Sequence, residues 1–238
     1  MSPKISVITV CYNAASSIED TIKSVINQTY QHVEYIIIDG ASTDGTLNII
    51  KKYSDNISYW QSEPDSGIFD AMNKGLHKAT GEWVVFMNAG DCFYSHDTIS
   101  KVNHELSDDL IMLYGDTQYI RKTGTAIEKA MEPDFIRKNM PTCHQSFFIK
   151  STIAKEIGFD TRYQYAADYN MVYHIYIKFG VEKIRHISLP ISSYEAITGL
   201  SMQHANEVYK ETLIIRHFSI HVLYGYVKYY IKKIIGRK

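Results

Sequence analysis

The stretch "GEWVVFMNAGDCF", Gly81 to Phe93, decides how this chain is organised. Trp83 to Met87 is an unbroken apolar run, with Gly81 before it and a polar cluster after it. A short, continuous apolar run reads as a strand buried on both faces, and such strands belong to parallel sheets. The run ends in Asn88-Ala89-Gly90-Asp91, so an amide and a carboxylate stand where the strand leaves the core. In an open parallel sheet that end of a strand faces the ligand crevice.

The same pattern recurs upstream. "KISVITVC" (4–11), "EYIIID" (34–39) and "ISYWQS" (57–62) read as three earlier strands, and 82–88 as the fourth. Between them "ASSIEDTIKSVINQ" places Ile18, Ile22, Val25 and Ile26 on one helical face, with Ser16–Glu19 or Ser17–Asp20 as its capping box. "GTLNIIKKY" and "IFDAMNKGLHKA" read as further helices. This alternation predicts an α/β fold, a doubly wound and mostly parallel sheet flanked by helices. Beyond it the rhythm loosens. "LIMLYGD" reads as a strand and "TQYIRKTG" as a hairpin arm, "HQSFFIK" as a strand, and "AADYNMVYHIYIKFG" as a helix stopped at Gly180. "EKIRHISLPISSYE" reads as two short strands broken at Pro190. A helical stretch follows from Glu207, so the expected division is a globular domain over 1–206 and an amphipathic helical extension over 207–238.

Composition excludes several classes. With 45% apolar and 21% charged residues the chain is neither disordered nor fibrous. Lys plus Arg total 25 against 26 for Asp plus Glu, a balance that gives no electrostatic ground for a nucleic-acid partner. Cys11, Cys92 and Cys143 are scattered, which fits reduced thiols in a cytoplasmic protein better than a zinc site or disulfides. No signal-peptide pattern opens the chain, and no uncharged apolar stretch is long enough for a spanning helix.

Polar residues collect at the strand tips: Tyr12 and Asn13 after the first, Asp39 after the second, Asn88 and Asp91 after the fourth. Either aspartate alone reads equally well as a turn or cap residue; the set favours a site. The first βα turn, Cys11 to Ala15, holds no glycine, so the Gly-rich dinucleotide fingerprint is absent, and no nucleoside-triphosphatase phosphate loop occurs. Carboxylates hold a diphosphate differently, through a divalent cation such as Mg²⁺ or Mn²⁺, and Asp91 is the candidate ligand.

"ISVITVCYN", "IIIDGASTDGT", "SEPDSGIFDAMNKG" and "GEWVVFMNAGD", in this order, resemble the family 2 glycosyltransferases of the GT-A fold, in the branch that builds bacterial surface polysaccharides such as O-antigen or capsule. The resemblance covers residues 4–93 specifically and extends loosely to about 200. It implies inverting transfer of a sugar from a nucleotide diphosphate donor, a UDP-sugar, to a saccharide hydroxyl. "IIIDGASTDGT" matches the nucleotide-binding segment, which puts Asp39 at the base with Asp44 close by. Thr9, Tyr12, Asn13 and Ser42 join them as candidate donor contacts. Asp65, Asp70, Asn73 and Lys74 come from "SEPDSGIFDAMNKG", although only some of that helix faces the crevice and Lys74 also reads as solvated. "MNAGD" replaces the family's Asp-x-Asp-Asp element, with Asn88 and Gly90 where carboxylates are usual, so Asp91 is the retained metal position.

Inverting transfer needs a base for the acceptor proton. By position in the resembled family that base is Asp168 in "RYQYAADYN", with Asp160 and Glu195 as reserves; a helix N-terminal aspartate that offsets the dipole is the competing reading. His144 and Gln145 in "PTCHQSFF" are candidates for the diphosphate or the acceptor. In the extension, Lys210, His217, His221, Lys228 and Lys232 form one stripe beside a broad apolar face. That pattern reads as a membrane-interface helix at the inner face of the cell membrane, serving a lipid-linked acceptor, or as a helix packed on the enzyme or on a second copy of the chain. Two other functions remain open at this point. One is a non-catalytic nucleotide-sugar-binding or scaffold subunit; the other is a glycoside hydrolase built on Asp91 and Asp168.

Overall fold

The computed structural model describes residues 2–196 and 203–216. Its first half is the expected alternation. Strands β1 (Ile5–Cys11), β2 (Val33–Asp39), β3 (Tyr59–Ser62) and β4 (Trp83–Phe86) are parallel and lie in the order β3-β2-β1-β4. Helices α1 (Ile18–Ile26), α2 (Thr46–Lys52) and α3 (Ile68–Lys78) connect them. Cys11 pairs with Asp39, and Asp39 with Ser62, so three strand tips end level at one edge.

Alternation along the strands sorts side chains into two cores, one on each face of the sheet. Ile8, Val10, Ile36 and Ile38 pack with Met72 and Leu76 of α3 on one face. Val7, Tyr35 and Ile37 pack with Ile18, Ile22 and Val25 of α1 on the other. Fully burying each such aliphatic side chain contributes about 1.5–3 kcal/mol. α3 approaches closely because it carries Gly75, where an added Cβ would stand 2.5 Å from Ile8 Cγ2.

Beyond β4 the sheet becomes mixed. β5 (Cys92–Phe93) and α4 (Thr98–Asn103) precede the long β6 (Met112–Arg121), which turns into β7 (Gly124–Glu128). β8 (Phe147–Lys150) lies antiparallel between β4 and β6, followed by α5 (Ser151–Ile157) and α6 (Ala167–Phe179). β9 (Ile184–Glu195) runs parallel to β6 and carries β5 on its outer side. Three expectations change here. "LIMLYGD" and the start of "TQYIRKTG" form one strand, and the hairpin turns after Arg121. The two strands expected around Pro190 are one strand. Its register against β6 shifts where Pro190 faces Asp116, because proline has no N–H to give the ladder. Thirdly, the capping box at α1 does not form. Ser17 is the N-cap residue without a side-chain cap bond, and Glu19 instead accepts from Lys52 Nζ (2.8 Å) and Tyr53 Oη (2.6 Å) beside α2.

Residues 205–216 form a helix, α7, that opens the expected extension. It is tied to the domain: Thr212 and Ile215 are buried, Ile215 within the core beneath α6, while Lys210 is exposed. His217, His221, Lys228 and Lys232 lie outside the described residues. No helix among the described residues is long and apolar enough to cross a membrane.

The edge opposite the strand tips is held by Glu34. It accepts from Lys4 Nζ (2.8 Å), Ser6 Oγ (2.5 Å), and both the backbone N–H (2.6 Å) and Oγ1 (2.6 Å) of Thr80. These bonds outweigh the desolvation of the buried carboxylate and hold its pKa at about 2. Glu34→Ala is expected to destabilise the fold by roughly 2–3 kcal/mol, the scale of hydrogen bonds to a charged group. Urea unfolding measures the loss. Hydrogen exchange in the 13–15 and 42–46 loops should stay at the wild-type rate, because Glu34 stands at the far end of the strands.

Candidate active site

The first βα turn and the loop after β2 are sewn together. Asn13 donates its backbone N–H to Ser42 Oγ (2.7 Å), and its Oδ1 accepts from Thr43 N (2.9 Å). Ala14 N donates to Thr46 Oγ1 (2.8 Å), and Ala15 N to Asp44 Oδ2 (2.9 Å). Asn13 and Ala41 adopt positive φ, 47° and 61°, strained values for residues with a Cβ that these cross-loop bonds hold in place. Hydrogen bonds from Thr46 and Ala15 lower the pKa of Asp44. Asp39 is fully buried at the tip of β2 and accepts from Ser42 N (3.0 Å), Ser42 Oγ and Ser62 Oγ (2.6 Å). Gly40 lets Asp65 and Tyr12 close over the loop, since a Cβ there would stand 2.5 Å from Asp65 Oδ2 and 3.4 Å from Tyr12 Cδ2. Tyr12 is 67% exposed, a broad aromatic surface beside a carboxylate-lined loop.

Three of the residues expected on this side are committed elsewhere. Thr9 is fully buried and ties the sheet together, donating to Met87 O (2.7 Å) and meeting Tyr35 Oη (3.0 Å). Asn73 clamps the backbone of Phe159 through both amide atoms, Nδ2 to O (2.8 Å) and Oδ1 from N (2.9 Å). Lys74 donates to Pro64 O (2.9 Å) and pairs with Asp70 (3.2 Å). Asp70 in turn accepts from Ser66 N (3.0 Å), which with Lys74 lowers its pKa.

The second group forms where β4 ends. Asp91 is 6% exposed. Its Oδ2 accepts from Gln145 Nε2, and its Oδ1 from the backbone N–H of Glu195 (3.3 Å). Burial outweighs these bonds and pushes the Asp91 carboxyl up to about 6. Asn88 Nδ2 meets His144 Nε2 at 3.0 Å, and His144 Nδ1 stands 3.4 Å from Asp168 Oδ2. With the Asn88 amide as donor, Nε2 accepts, which leaves the imidazole proton on Nδ1, facing Asp168. Asp168 sits in the first turn of α6 and takes the backbone N–H of Tyr169 on Oδ1 (2.8 Å). Tertiary folding thus joins Asn88, Asp91, His144, Gln145, Asp168 and Glu195. Asp160 is turned away into a bidentate pair with Arg162, Nε to Oδ1 (2.9 Å) and Nη2 to Oδ2 (2.6 Å), which lowers its pKa.

No group of three or more His, Cys, Asp or Glu side chains arranged for a metal occurs among the described residues. Two buried amide oxygens beside Asp91 nevertheless have no hydrogen-bond partner, Asn88 Oδ1 and Gln145 Oε1. An under-compensated carboxylate with two orphaned hard oxygens fits a divalent cation whose remaining ligands come from a diphosphate and water. The sequence pattern missed Tyr35 and Ser62, which brace Thr9 and Asp39, because nothing in a strand pattern marks a cross-strand hydroxyl.

Residues 6–179 match the model of Glycosyl transferase family 2. A PGL/p-HBAD biosynthesis glycosyltransferase of Mycobacterium bovis is 30% identical over 209 residues, covering 84% of this chain and 80% of the relative. The putative teichuronic acid biosynthesis glycosyltransferase TuaG of Bacillus subtilis is 33% identical over 130 residues, covering 53% of this chain and 52% of its own. Among solved structures, S. aureus TarS 1-349 in complex with UDP-GlcNAc superposes with a TM-score of 0.71 at 20% identity, over 89% of this chain and 65% of that one. The Pyrobaculum calidifontis mannosyltransferase PcManGT, in complex with GDP-Man and Mn²⁺, gives 0.66 at 21% identity, over 93% of this chain and 65% of that one. At these identities the two structures share the GT-A-like α/β fold, a mixed sheet flanked by helices.

The raised Asp91 pKa has a defined sign in stability. A carboxyl that is easier to protonate when folded stabilises fully below the ordinary carboxylate range, and that contribution is lost as pH rises through about 6. Without divalent cation, the melting temperature of the wild type should therefore fall relative to Asp91→Asn as pH is raised from about 4 to above neutrality. Adding Mn²⁺ with UDP above neutrality should raise the melting temperature of the wild type and leave Asp91→Asn unmoved. Differential scanning fluorimetry across the pH series reads both effects.

Proposed function

The chain belongs to glycosyl transferase family 2, and we propose that it is an inverting transferase moving a hexosyl or N-acetylhexosaminyl group from a UDP-sugar to a saccharide hydroxyl. The observation that carries this reading is the line Asp168–His144–Asn88, which ends at the β4 tip beside Asp91. It brings a partly exposed carboxylate, an imidazole and a buried carboxylate to the functional edge of a nucleotide-sugar fold.

In this reading Tyr12 offers a face to the nucleobase, while Asp39, Ser42, Asp44 and Asp65 shape the loop around the nucleoside. Asn13 holds that loop against the first turn. Asp91, with the amide oxygens of Asn88 and Gln145, would hold Mn²⁺ or Mg²⁺. When bound, the cation neutralises charge on the departing diphosphate. Asp168 accepts the proton of the acceptor hydroxyl as its oxygen bonds to the anomeric carbon and the bond from that carbon to the diphosphate breaks. His144 orients the Asp168 carboxylate by presenting its Nδ1–H. Opposite-face attack inverts the anomeric configuration.

The proposed setting is cell-surface polysaccharide or glycolipid assembly at the cytoplasmic face of the membrane, with a lipid-linked acceptor. Support comes from the relatives' names and from the basic and apolar pattern of the sequence over 207–238. Binding to anionic vesicles that weakens with salt, and is lost in Lys228→Glu/Lys232→Glu/Lys233→Glu, is the expected result. A salt-insensitive dimer that ignores vesicles would instead assign the tail to a protein interface.

Donor class is tested by a thermal-shift screen of UDP, GDP and their sugars with and without Mn²⁺, in which a bound ligand raises the melting temperature by mass action. UDP with Mn²⁺ should give the largest shift. Asp168→Asn should keep that shift while turnover falls by a factor on the order of 10²–10⁴. Wild-type turnover in Asp168→Asn, together with a dead Glu195→Gln, would move the base to Glu195.

A further inference from the structure

α6 starts without a capping side chain of its own. Its N-cap residue is Ala166, whose methyl group can accept nothing, and the three backbone N–H groups that lead up to the helix, 164–166, take their acceptor from elsewhere. Glu211 supplies it from α7. Its Oε1 accepts from Gln164 N (2.9 Å), and its Oε2 accepts from both Tyr165 N (2.9 Å) and Ala166 N (2.9 Å). One carboxylate thus holds three consecutive N–H groups across more than forty residues of chain, charge-assisted bonds of the stronger kind.

The neighbouring contacts make this cage a fixed joint. Thr212 and Ile215, one and four residues further along α7, are 3% and 1% exposed. The Tyr165 ring stacks on His204 with centroids 4.6 Å apart. On the other side of the helix start, Tyr169 Oη donates to Ile136 O (2.8 Å). Asp168 lies between these anchors, two residues after the last caged N–H, with its carboxylate 3.4 Å from His144 Nδ1.

We infer that Glu211 is a positioning residue: by caging the backbone at 164–166 it sets where the Asp168 carboxylate stands against His144, making the C-terminal helix part of the catalytic apparatus. The inference rests on the reading of Asp168 as the base. Glu211 has no route to the substrate of its own, since its oxygens are taken up by backbone. Its effect is therefore on turnover and not on donor binding. A reacting group displaced by about 1 Å costs about 10²-fold in rate, which sets the size of effect to look for.

The test uses the full-length chain with Mn²⁺ and whichever of UDP-GlcNAc, UDP-glucose or UDP-galactose the wild type turns over fastest, with released UDP as readout. Glu211→Ala should lower kcat by about 10- to 100-fold with KM for the donor unchanged. Glu211→Gln should recover part of the loss, because its one carbonyl oxygen still accepts. Hydrogen exchange should show faster amides at 164–166 in Glu211→Ala and unchanged ones in the 13–15 and 42–46 loops. In an Asp168→Asn background, Glu211→Ala should cost no further turnover, since the group it positions is gone. If Asp168→Asn is impaired but Glu211→Ala keeps wild-type kcat, raises donor KM in parallel, or adds its full loss to Asp168→Asn, the positioning role is overturned alone. Undiminished turnover in Asp168→Asn itself overturns the assignment of the base, and the inference with it.

Discussion

A carboxylate placed in a core must be compensated, and much of the second half of this molecule is arranged around that demand at Asp91. β4 carries it to the edge of the sheet. The turn at His144–Ser146 brings Gln145 to one oxygen, and the end of β9 brings the Glu195 N–H to the other. Those two bonds do not balance the desolvation, which is why the carboxyl rises to about 6. The shortfall, beside two unpartnered amide oxygens, makes the place receptive to positive charge. Beneath it a set of buried hydroxyls, Thr117, Thr142, Ser146 and Ser192, bonds among itself and fixes the turn that carries His144 and Gln145.

The edge at the tips of β1 and β2 solves a different problem. A Gly-rich loop would let backbone reach a phosphate, but this chain has residues with side chains through its first βα turn. The backbone N–H groups of Asn13 and Ala15 donate across to Ser42 Oγ and Asp44, and the Asn13 side chain accepts from Thr43 N, which binds loop to loop. Those bonds hold Asn13 at positive φ and tie its turn to the loop that contains Ala41. Asn73 and Lys74 serve the same end indirectly. By clamping Phe159 and Pro64 they fix the segments that flank the crevice, so a motif that reads as donor-binding in sequence is in part scaffold.

α6 joins the two halves. It presents Asp168 toward His144 at its start, buries Tyr169, Met171 and Val172 against the sheet, and receives α7 through Glu211 and Ile215. The boundary drawn at 206 from the helical pattern therefore falls in front of residues that pack into the domain. Amphipathic periodicity reports that a face is apolar; it carries no information on whether lipid, a second copy or the domain's own core covers it.

The parallel half of the fold and the strand-tip location of Asp39, Asn88 and Asp91 were legible in the sequence because they are local. A continuous apolar run forces a buried strand, a 3.6-residue period forces a helix across the sheet, and their alternation leaves the strand ends on a common edge. The mixed half was less legible. Whether β9 is one strand or two depends on β6, which tolerates the missing N–H of Pro190 by a register shift. The absent capping box at α1 has the same origin, since Glu19 found Lys52 and Tyr53 on a neighbouring element. Which polar residues meet was decided by tertiary structure alone. Asn88 and His144 are 56 positions apart, Asp91 and Gln145 54, and Ala166 and Glu211 45, and no periodicity spans such distances. Those pairings follow from packing and from the cost of leaving buried polar groups unpaired, a constraint that acts only once the chain is folded.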